Sequence, residues 1–204
     1  METVLILDFG AQYSQLIARR VREQNVYCEV KPCSISPAEI EKIAPIGIIL
    51  SGGPQSVYES VSPHVDPALF ALGIPVLGIC YGCQLMAYSL GGTVAAATEA
   101  TAREYGKTLT EFDTDCSIFQ GLPASSVTWM SHGDYISQVP DGFAVTAKTA
   151  VCPTAAMACP EKKLYGVQFH PEVQHTVEGS EMLRRFLYTC LLYTSPSPRD
   201  RTRS

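Results

Sequence analysis

Long apolar runs are missing from this chain. No stretch approaches the roughly 20 consecutive apolar residues that a membrane-spanning helix needs, and the opening Met1-Glu2-Thr3-Val4 lacks the basic start and apolar stretch of a secretory signal. On this reading neither a spanning helix nor a signal peptide is expected, and a cytoplasmic location is the expectation. An excess of positive charge is missing too, since 15 Lys and Arg stand against 20 Asp and Glu for a net charge of −5. That removes any electrostatic reason to expect nucleic acid or an anionic membrane as a partner. Zinc-ligand spacing is also scarce. Of eight cysteines only Cys80 and Cys83 form a C-x-x-C, and no second pair stands at that spacing, so no metal is expected. No internal repeat is present.

What the chain does have is an orderly alternation of apolar runs and amphipathic segments. Its 204 residues suit one α/β domain, and an apolar content of 46% allows a full core. Thr3 to Asp8 reads as a buried strand and Tyr13 to Glu23 as a helix, with Tyr13, Leu16, Ile17 and Val21 on its apolar side and Arg19, Arg20 and Arg22 on a solvated face. Val26 to Val30 reads as a strand. Ser36-Pro37-Ala38-Glu39 opens a short helix with a Ser cap and a first-turn proline. Ile46 to Leu50 is a strand, Asp66 to Leu72 a helix and Pro75 to Ile79 a strand, followed by a helical run from Gln84 to Leu90. Such alternation predicts an α/β fold with a mostly parallel sheet covered on both faces, its functional groups beyond the carboxyl ends of the strands. Asp8, Ser51-Gly52-Gly53 and Cys80 all fall at such ends.

After Gly91-Gly92 the texture changes to shorter strands: Thr93 to Thr98, Thr108 to Phe112, Val127 to Ser131, Phe143 to Thr149 and Thr154 to Ala158. They suggest a smaller antiparallel sheet. Leu164 to Phe169 is a strand that delivers His170, and Glu178 to Leu187 closes the domain as a helix. Residues 1–192 are expected to form the domain. Residues 193–204, rich in Ser, Pro and Arg with no apolar period, have the composition of a disordered and non-native tail.

The most informative stretch is Gly78-Ile79-Cys80-Tyr81-Gly82. A strand that turns sharply into a helix at a G-x-C-x-G reads as a nucleophile elbow, in which the strained turn pushes one side chain out. Here it is a thiol beside the positive end of a helix, which favours the reactive thiolate. Phe169-His170-Pro171-Glu172 supplies a base and a carboxylate, so Cys, His and Glu make the parts of a cysteine-nucleophile triad. The rival readings are weaker. The C-x-x-C could mean redox chemistry, but the elbow accounts for Cys80, and Cys83 falls inside the helix as packing. His132 could serve as the base, but it sits in a polar loop and ranks below His170. His64 and His175 read as surface or interface residues.

These motifs resemble the class I, triad-type glutamine amidotransferase family. Four further stretches are similar to the amidotransferase domains of the glutamine-hydrolysing GMP synthases within it: Asp8 to Tyr13, Ser51 to Tyr58, Trp129 to Asp134 and His170 to Thr176. The resemblance spans about Val4 to Cys190 and implies a flavodoxin-like core. Cys83 stands where the family commonly has methionine. The larger departure is that the ATP pyrophosphatase (synthetase) and dimerisation domains usual in that family do not follow. Ser51-Gly52-Gly53-Pro54 is not the synthetase phosphate loop, which would continue into Asp-Ser.

The resemblance implies glutamine as substrate, Cys80 as nucleophile, His170 as base and acid, and Glu172 as its orienter. It implies an oxyanion hole from the backbone N–H groups of Tyr81 and Gly53, with Gln84, Ser131, Gly133 and Asp134 holding the amino-acid end of glutamine. The ammonia would serve a synthetase domain or subunit that converts XMP to GMP. ATP and magnesium would bind that partner, leaving this chain without a cofactor. Other acceptors, as in anthranilate, CTP or carbamoyl phosphate synthesis, stay open at this stage. So does the reading as a non-catalytic regulatory subunit; the intact triad argues against it.

Overall fold

The computed structural model describes residues 1–10, 12–53, 56–98 and 103–191. The segment expected to be a non-native tail lies outside the described residues. Strand β1 (Val4–Asp8) leads into helix α1 (Ser14–Glu23), β2 (Cys28–Pro32), α2 (Pro37–Ile43) and β3 (Gly47–Leu50). A 3-10 helix (Pro67–Ala71) and β4 (Val76–Ile79) follow, then α3 (Tyr81–Ser89) and β5 (Thr93–Ala96). The second half holds β6 (Glu104–Phe112), β7 (Ser125–His132), β8 (Asp134–Gln138), β9 (Ala144–Lys148), β10 (Ala156–Cys159), β11 (Leu164–Val167) and α4 (Gly179–Arg185), which runs on into a π-helical turn, Phe186–Cys190.

One nine-stranded sheet runs β2-β1-β3-β4-β11-β10-β9-β6-β7, and a two-stranded sheet pairs β5 with β8. From β2 to β11 the neighbours are parallel, and beyond β11 they are antiparallel. Most of the expected antiparallel strands thus extend the central sheet, and the separate small sheet is the antiparallel pair of β5 and β8. The parallel half is apolar on both faces because helices cover both. Along β1, Val4 and Ile6 pack with Ile17 and Val21 of α1 and with Phe186 after α4, whereas Leu5 and Leu7 pack with Ile40 of α2 and Leu85 of α3. Alternate side chains of one strand therefore serve two cores.

Several local expectations shift. β2 begins two residues late because Val26 donates its N–H to Val21 O, finishing α1, rather than to the sheet. It can end in Lys31-Pro32 because β2 is an edge strand, where a missing N–H is tolerated. Ser36 caps α2 as its sequence predicts, with a reciprocal bond between its main chain and Glu39. The run Asp66 to Leu72 forms a 3-10 rather than an α-helix. Helix α3 begins at Tyr81, directly after the elbow cysteine, rather than at Gln84.

Candidate active site

Cys80 sits between the end of β4 and the first turn of α3 with φ 51 and ψ −108, a backbone conformation that side-chain-bearing residues rarely adopt. Its N–H donates to Val167 O at 2.8 Å and its carbonyl accepts from Gln84 N at 3.1 Å, so the strained residue is held on both sides. The flanking glycines are required by contact. A Cβ on Gly78 would lie 2.6 Å from Gly82 O, and one on Gly82 would lie 2.6 Å from both Leu50 Cβ and Leu50 O. The strand, the turn and the neighbouring strand β3 close on one another only where side chains are missing. The sulfur stands at the start of a nine-residue helix whose first amides have no intrahelical partner, a setting that favours negative charge.

The imidazole arrives from the far end of the chain. β11 pairs in parallel with β4, Val167 opposite Ile79, and thereby places the segment after β11 beside the elbow. His170 is buried, bonds Glu172 Oε1 from Nδ1 at 2.7 Å, and lines one hollow together with Cys80. Burial alone would push the imidazole toward its neutral form. The hydrogen bonds and negative charge of Cys80 and Glu172 outweigh it and raise the His170 pKa to about 11. Glu172 is fully buried, and its Oε2 has no hydrogen-bond partner among the described residues. The loop carrying the pair is pinned from three sides. His170 N donates to Trp129 O at 3.0 Å, Thr176 Oγ1 donates to His170 O at 2.6 Å, and Arg20 Nε donates to Glu172 O at 2.9 Å.

Two hollows meet at the sulfur. One, about 390 Å³, is lined by Gly53, Ser56, Glu59, Cys80, Tyr81, Gln84, Tyr105 and residues 131–134. The other, about 350 Å³, opens on the imidazole side between Gln12, Tyr13, Gly53, Cys80, Ser131 and His170. A cysteine bent out of a strand–helix elbow, with an imidazole–carboxylate pair beside it and an amino-acid-sized hollow in front, is equipped for acyl transfer through a thioester.

The chain's sequence from residue 5 to 190 matches the model of the family described as glutamine amidotransferase class-I. The chain belongs to that family. It is 56% identical over 187 residues to a GMP synthase [glutamine-hydrolyzing] of Clostridium botulinum (strain Alaska E43 / Type E3), and 58% identical over 187 residues to that of Caldanaerobacter subterraneus subsp. tengcongensis. In both comparisons the match covers 92% of this chain but 36% of the relative, so the chain spans about a third of their length. Among solved structures, a protein described as a GMP synthase subunit from Thermoplasma acidophilum superposes with a TM-score of 0.81 at 30% identity, covering 100% of this chain and 98% of that one. A glutamine amidotransferase from Thermotoga maritima shares the fold with a TM-score of 0.75 at 21% identity, covering 94% of this chain and 99% of that one.

Within this class I amidotransferase chain, the residues predicted from sequence converge. Cys80, His170 and Glu172 lie together, and Gly53, Tyr81, Gln84, Ser131, Gly133 and Asp134 all line the larger hollow. A Cβ on Gly53 would press on the Tyr81 ring at 3.1 Å, so the backbone there approaches the elbow closely. Tyr81 itself is buried, and its hydroxyl donates to Pro63 O at 2.6 Å. Gln84 is more committed to the protein than expected. Its Nε2 donates to Asp134 O at 2.9 Å and to Gln168 Oε1 at 3.0 Å, leaving its carbonyl oxygen for a ligand.

Three neighbours of the triad escape a reading of the sequence. Tyr13, expected in the core, is 37% exposed and lays its ring 5.5 Å from that of His170. Arg20, expected in solvent, reaches Glu172 O. Gln168, fully buried, donates from Nε2 to Cys80 Sγ at 3.5 Å. Only Gln168 had a cue, since it stands two residues before His170 on the strand that delivers it. His132 does have a carboxylate behind it, though from another strand: Nε2 lies 3.4 Å from Glu104 Oε2, and Nδ1 bonds Asp134 O at 2.8 Å. Glu104, His132 and Cys152 bring ligand-type atoms within 4.8 Å of one another. Each is already engaged by protein, Glu104 by Thr149 Oγ1 at 2.5 Å and the Cys152 thiol by Thr154 O at 3.4 Å. Burial, followed by the Glu104 charge, raises the Cys152 thiol to about 12. The trio is a buried polar network behind the 131–134 loop. Cys83 is fully buried, and its thiol is held well above its ordinary pKa by burial, as expected of a packing residue.

Proposed function

We propose that this chain hydrolyses glutamine to glutamate and ammonia through Cys80, His170 and Glu172, and that the ammonia serves a synthetase that converts XMP to GMP. The observation that carries the reading is the meeting, in one hollow, of Cys80 on a strained strand–helix turn and a His170 bonded to the buried Glu172. The Cys80 thiolate attacks the side-chain amide carbon of glutamine. Charge moves onto the amide oxygen, for which the N–H groups of Tyr81 and Gly53 are the donors, each worth about 3 kcal/mol of barrier. His170, charged and fixed by Glu172, gives its proton to the amide nitrogen, the C–N bond breaks, and ammonia leaves. The neutral imidazole then takes a proton from water as that water attacks the glutamyl thioester. Collapse of the second tetrahedral adduct frees glutamate and restores the thiolate–imidazolium pair.

Gln84, Ser131, Gly133 and Asp134 hold the α-ammonium and α-carboxylate of glutamine in the larger hollow. The Gln84 carbonyl oxygen and the Asp134 carboxylate suit the ammonium, and the Gly133 backbone suits the carboxylate. Residues 1–192 act as one amidotransferase domain in the cytoplasm. The synthetase, corresponding to the part of the GMP synthase relatives that this chain does not cover, carries ATP and magnesium, and this chain needs no cofactor. The direct test is a glutamine-analogue affinity label. It should modify Cys80 selectively, and Cys80→Ala should abolish glutamine hydrolysis while leaving the thermal unfolding midpoint nearly unchanged. Labelling of Cys83 with Cys80 untouched would overturn the assignment.

A further inference from the structure

Gln168 occupies a place in this molecule that the triad chemistry does not use. It follows β11, it is fully buried, and its main chain is fixed by donation of N–H to Ala155 O at 2.8 Å. Its side chain lies between the nucleophile and Gln84, 3.5 Å from Cys80 Sγ and 3.0 Å from Gln84 Nε2.

The direction of these bonds follows from one main-chain atom. Asp134 O is a carbonyl and can only accept, so the end of the Gln84 amide 2.9 Å from it must be the nitrogen. The second N–H of that nitrogen points to Gln168, whose facing atom must then be its oxygen. The Gln168 nitrogen is thereby turned to the sulfur. A main-chain carbonyl in the substrate-facing loop thus sets the polarity of a two-amide line that ends at the nucleophile.

That polarity matters for the state of the sulfur. A protonated Cys80 can donate to Ser131 O at 3.6 Å. A thiolate cannot donate to that carbonyl, and an N–H from Gln168 then offers it a hydrogen bond. Hydrogen bonding to the charged form of an acid favours that form.

We infer that Gln168 is a positioning residue of the reaction: its amide N–H holds the Cys80 thiolate in place, and Gln84, bonded to the Asp134 carbonyl, holds Gln168 in the donating orientation. This rests on Cys80 being the nucleophile of the proposed hydrolysis, and it deepens that reading. The amide touches the sulfur but exchanges no proton with substrate. Its removal leaves the triad complete and makes the thiolate harder to form.

The test is the pH dependence of Cys80 alkylation by iodoacetamide in the full chain, scored by peptide mapping. Gln168→Met, close in length and unable to donate, should raise the alkylation midpoint by about one pH unit, roughly a tenfold loss of thiolate at a fixed pH on the acid side. Gln168→Glu should raise it further, because a carboxylate then faces the sulfur. In glutamine turnover the acid limb of kcat should move with the alkylation midpoint while KM changes little, which a merely structural residue would not produce. Alkylation is read without glutamine, so a chain that failed to hydrolyse glutamine would refute the proposed function and still report on Gln168. Unmoved midpoints in both variants, with native unfolding transitions, would overturn the inference. Should either variant fail to fold, the side-chain amide NMR signal of Gln168 in the unmodified chain decides. It should shift with the titration of Cys80 and lose that response in Cys80→Ala, and a signal indifferent to pH would equally overturn the inference.

Discussion

Glu172 Oε2 is a carboxylate oxygen buried without a hydrogen-bond partner among the described residues. A buried acceptor left unpaired is destabilising by about 1–3 kcal/mol, more when charged. Here it leaves Glu172 one strong partner, His170, and so concentrates the carboxylate's charge on the imidazolium. Glu172→Gln should therefore lower kcat about a hundredfold or more, because the amide can still orient the ring but no longer balances its charge. The same electrostatics predict a pH response. Since the folded pKa of His170 is raised to about 11, the imidazolium contributes stability that is fully present below its ordinary pKa near 6.5. That contribution is lost as pH rises through the folded value. Thermal unfolding measured from pH 6 to 11 should show a midpoint that falls on the alkaline side, and His170→Gln should flatten that part of the curve. Arg20 belongs at this scale as well, since its guanidinium grips the carbonyl of Glu172. Arg20→Met should weaken turnover more than it weakens folding, seen as a lower kcat with an unfolding midpoint close to the parent's.

At the scale of elements, the elbow is a packing solution between β3, β4 and α3. A methyl group added at Gly82 must displace the main chain of Leu50 or the helix itself. Overpacking of this kind is destabilising by about 1–3 kcal/mol, and Gly82→Ala should lower the urea midpoint and turnover together. Ser36→Ala, which removes the capping box of α2, should reduce stability by about 1 kcal/mol and leave glutamine turnover unchanged. The elements around the elbow were legible because parallel strands buried on both faces are written as unbroken apolar runs, as in Val4 to Leu7 and Gly47 to Leu50. β8 was hidden because only Ile136 of its five residues is buried, so no alternation marks it. The start of β2 was misplaced because Val26 is buried without belonging to the sheet. Cys80, His170 and Glu172 could be read from their motifs. Arg20, Tyr13 and Glu104 could not, because their roles arise from contacts across the fold that no local spacing encodes. His132 shows the same limit: its carboxylate partner stands on a different strand.

For the whole molecule, the proposed function has the hollow at Cys80 working beside a synthetase unit, the part of the GMP synthase relatives that this chain does not cover. Adding a GMP synthetase domain with XMP, ATP and magnesium should raise the rate of glutamine hydrolysis by this chain, measured as glutamate released. Stimulation by another synthetase instead would reassign the acceptor. The order of the strands has a consequence of its own. β4, which ends at the nucleophile, is completed on one side by β3 just before it in sequence and on the other only by β11. During synthesis the strand that carries the thiol must therefore wait, with one flank open, for a segment still inside the ribosome. On the proposed function a nascent polypeptide without β11 also lacks His170 and cannot hydrolyse glutamine, and chains cut before Leu164 should self-associate through that open flank, which sedimentation of a truncation series would reveal.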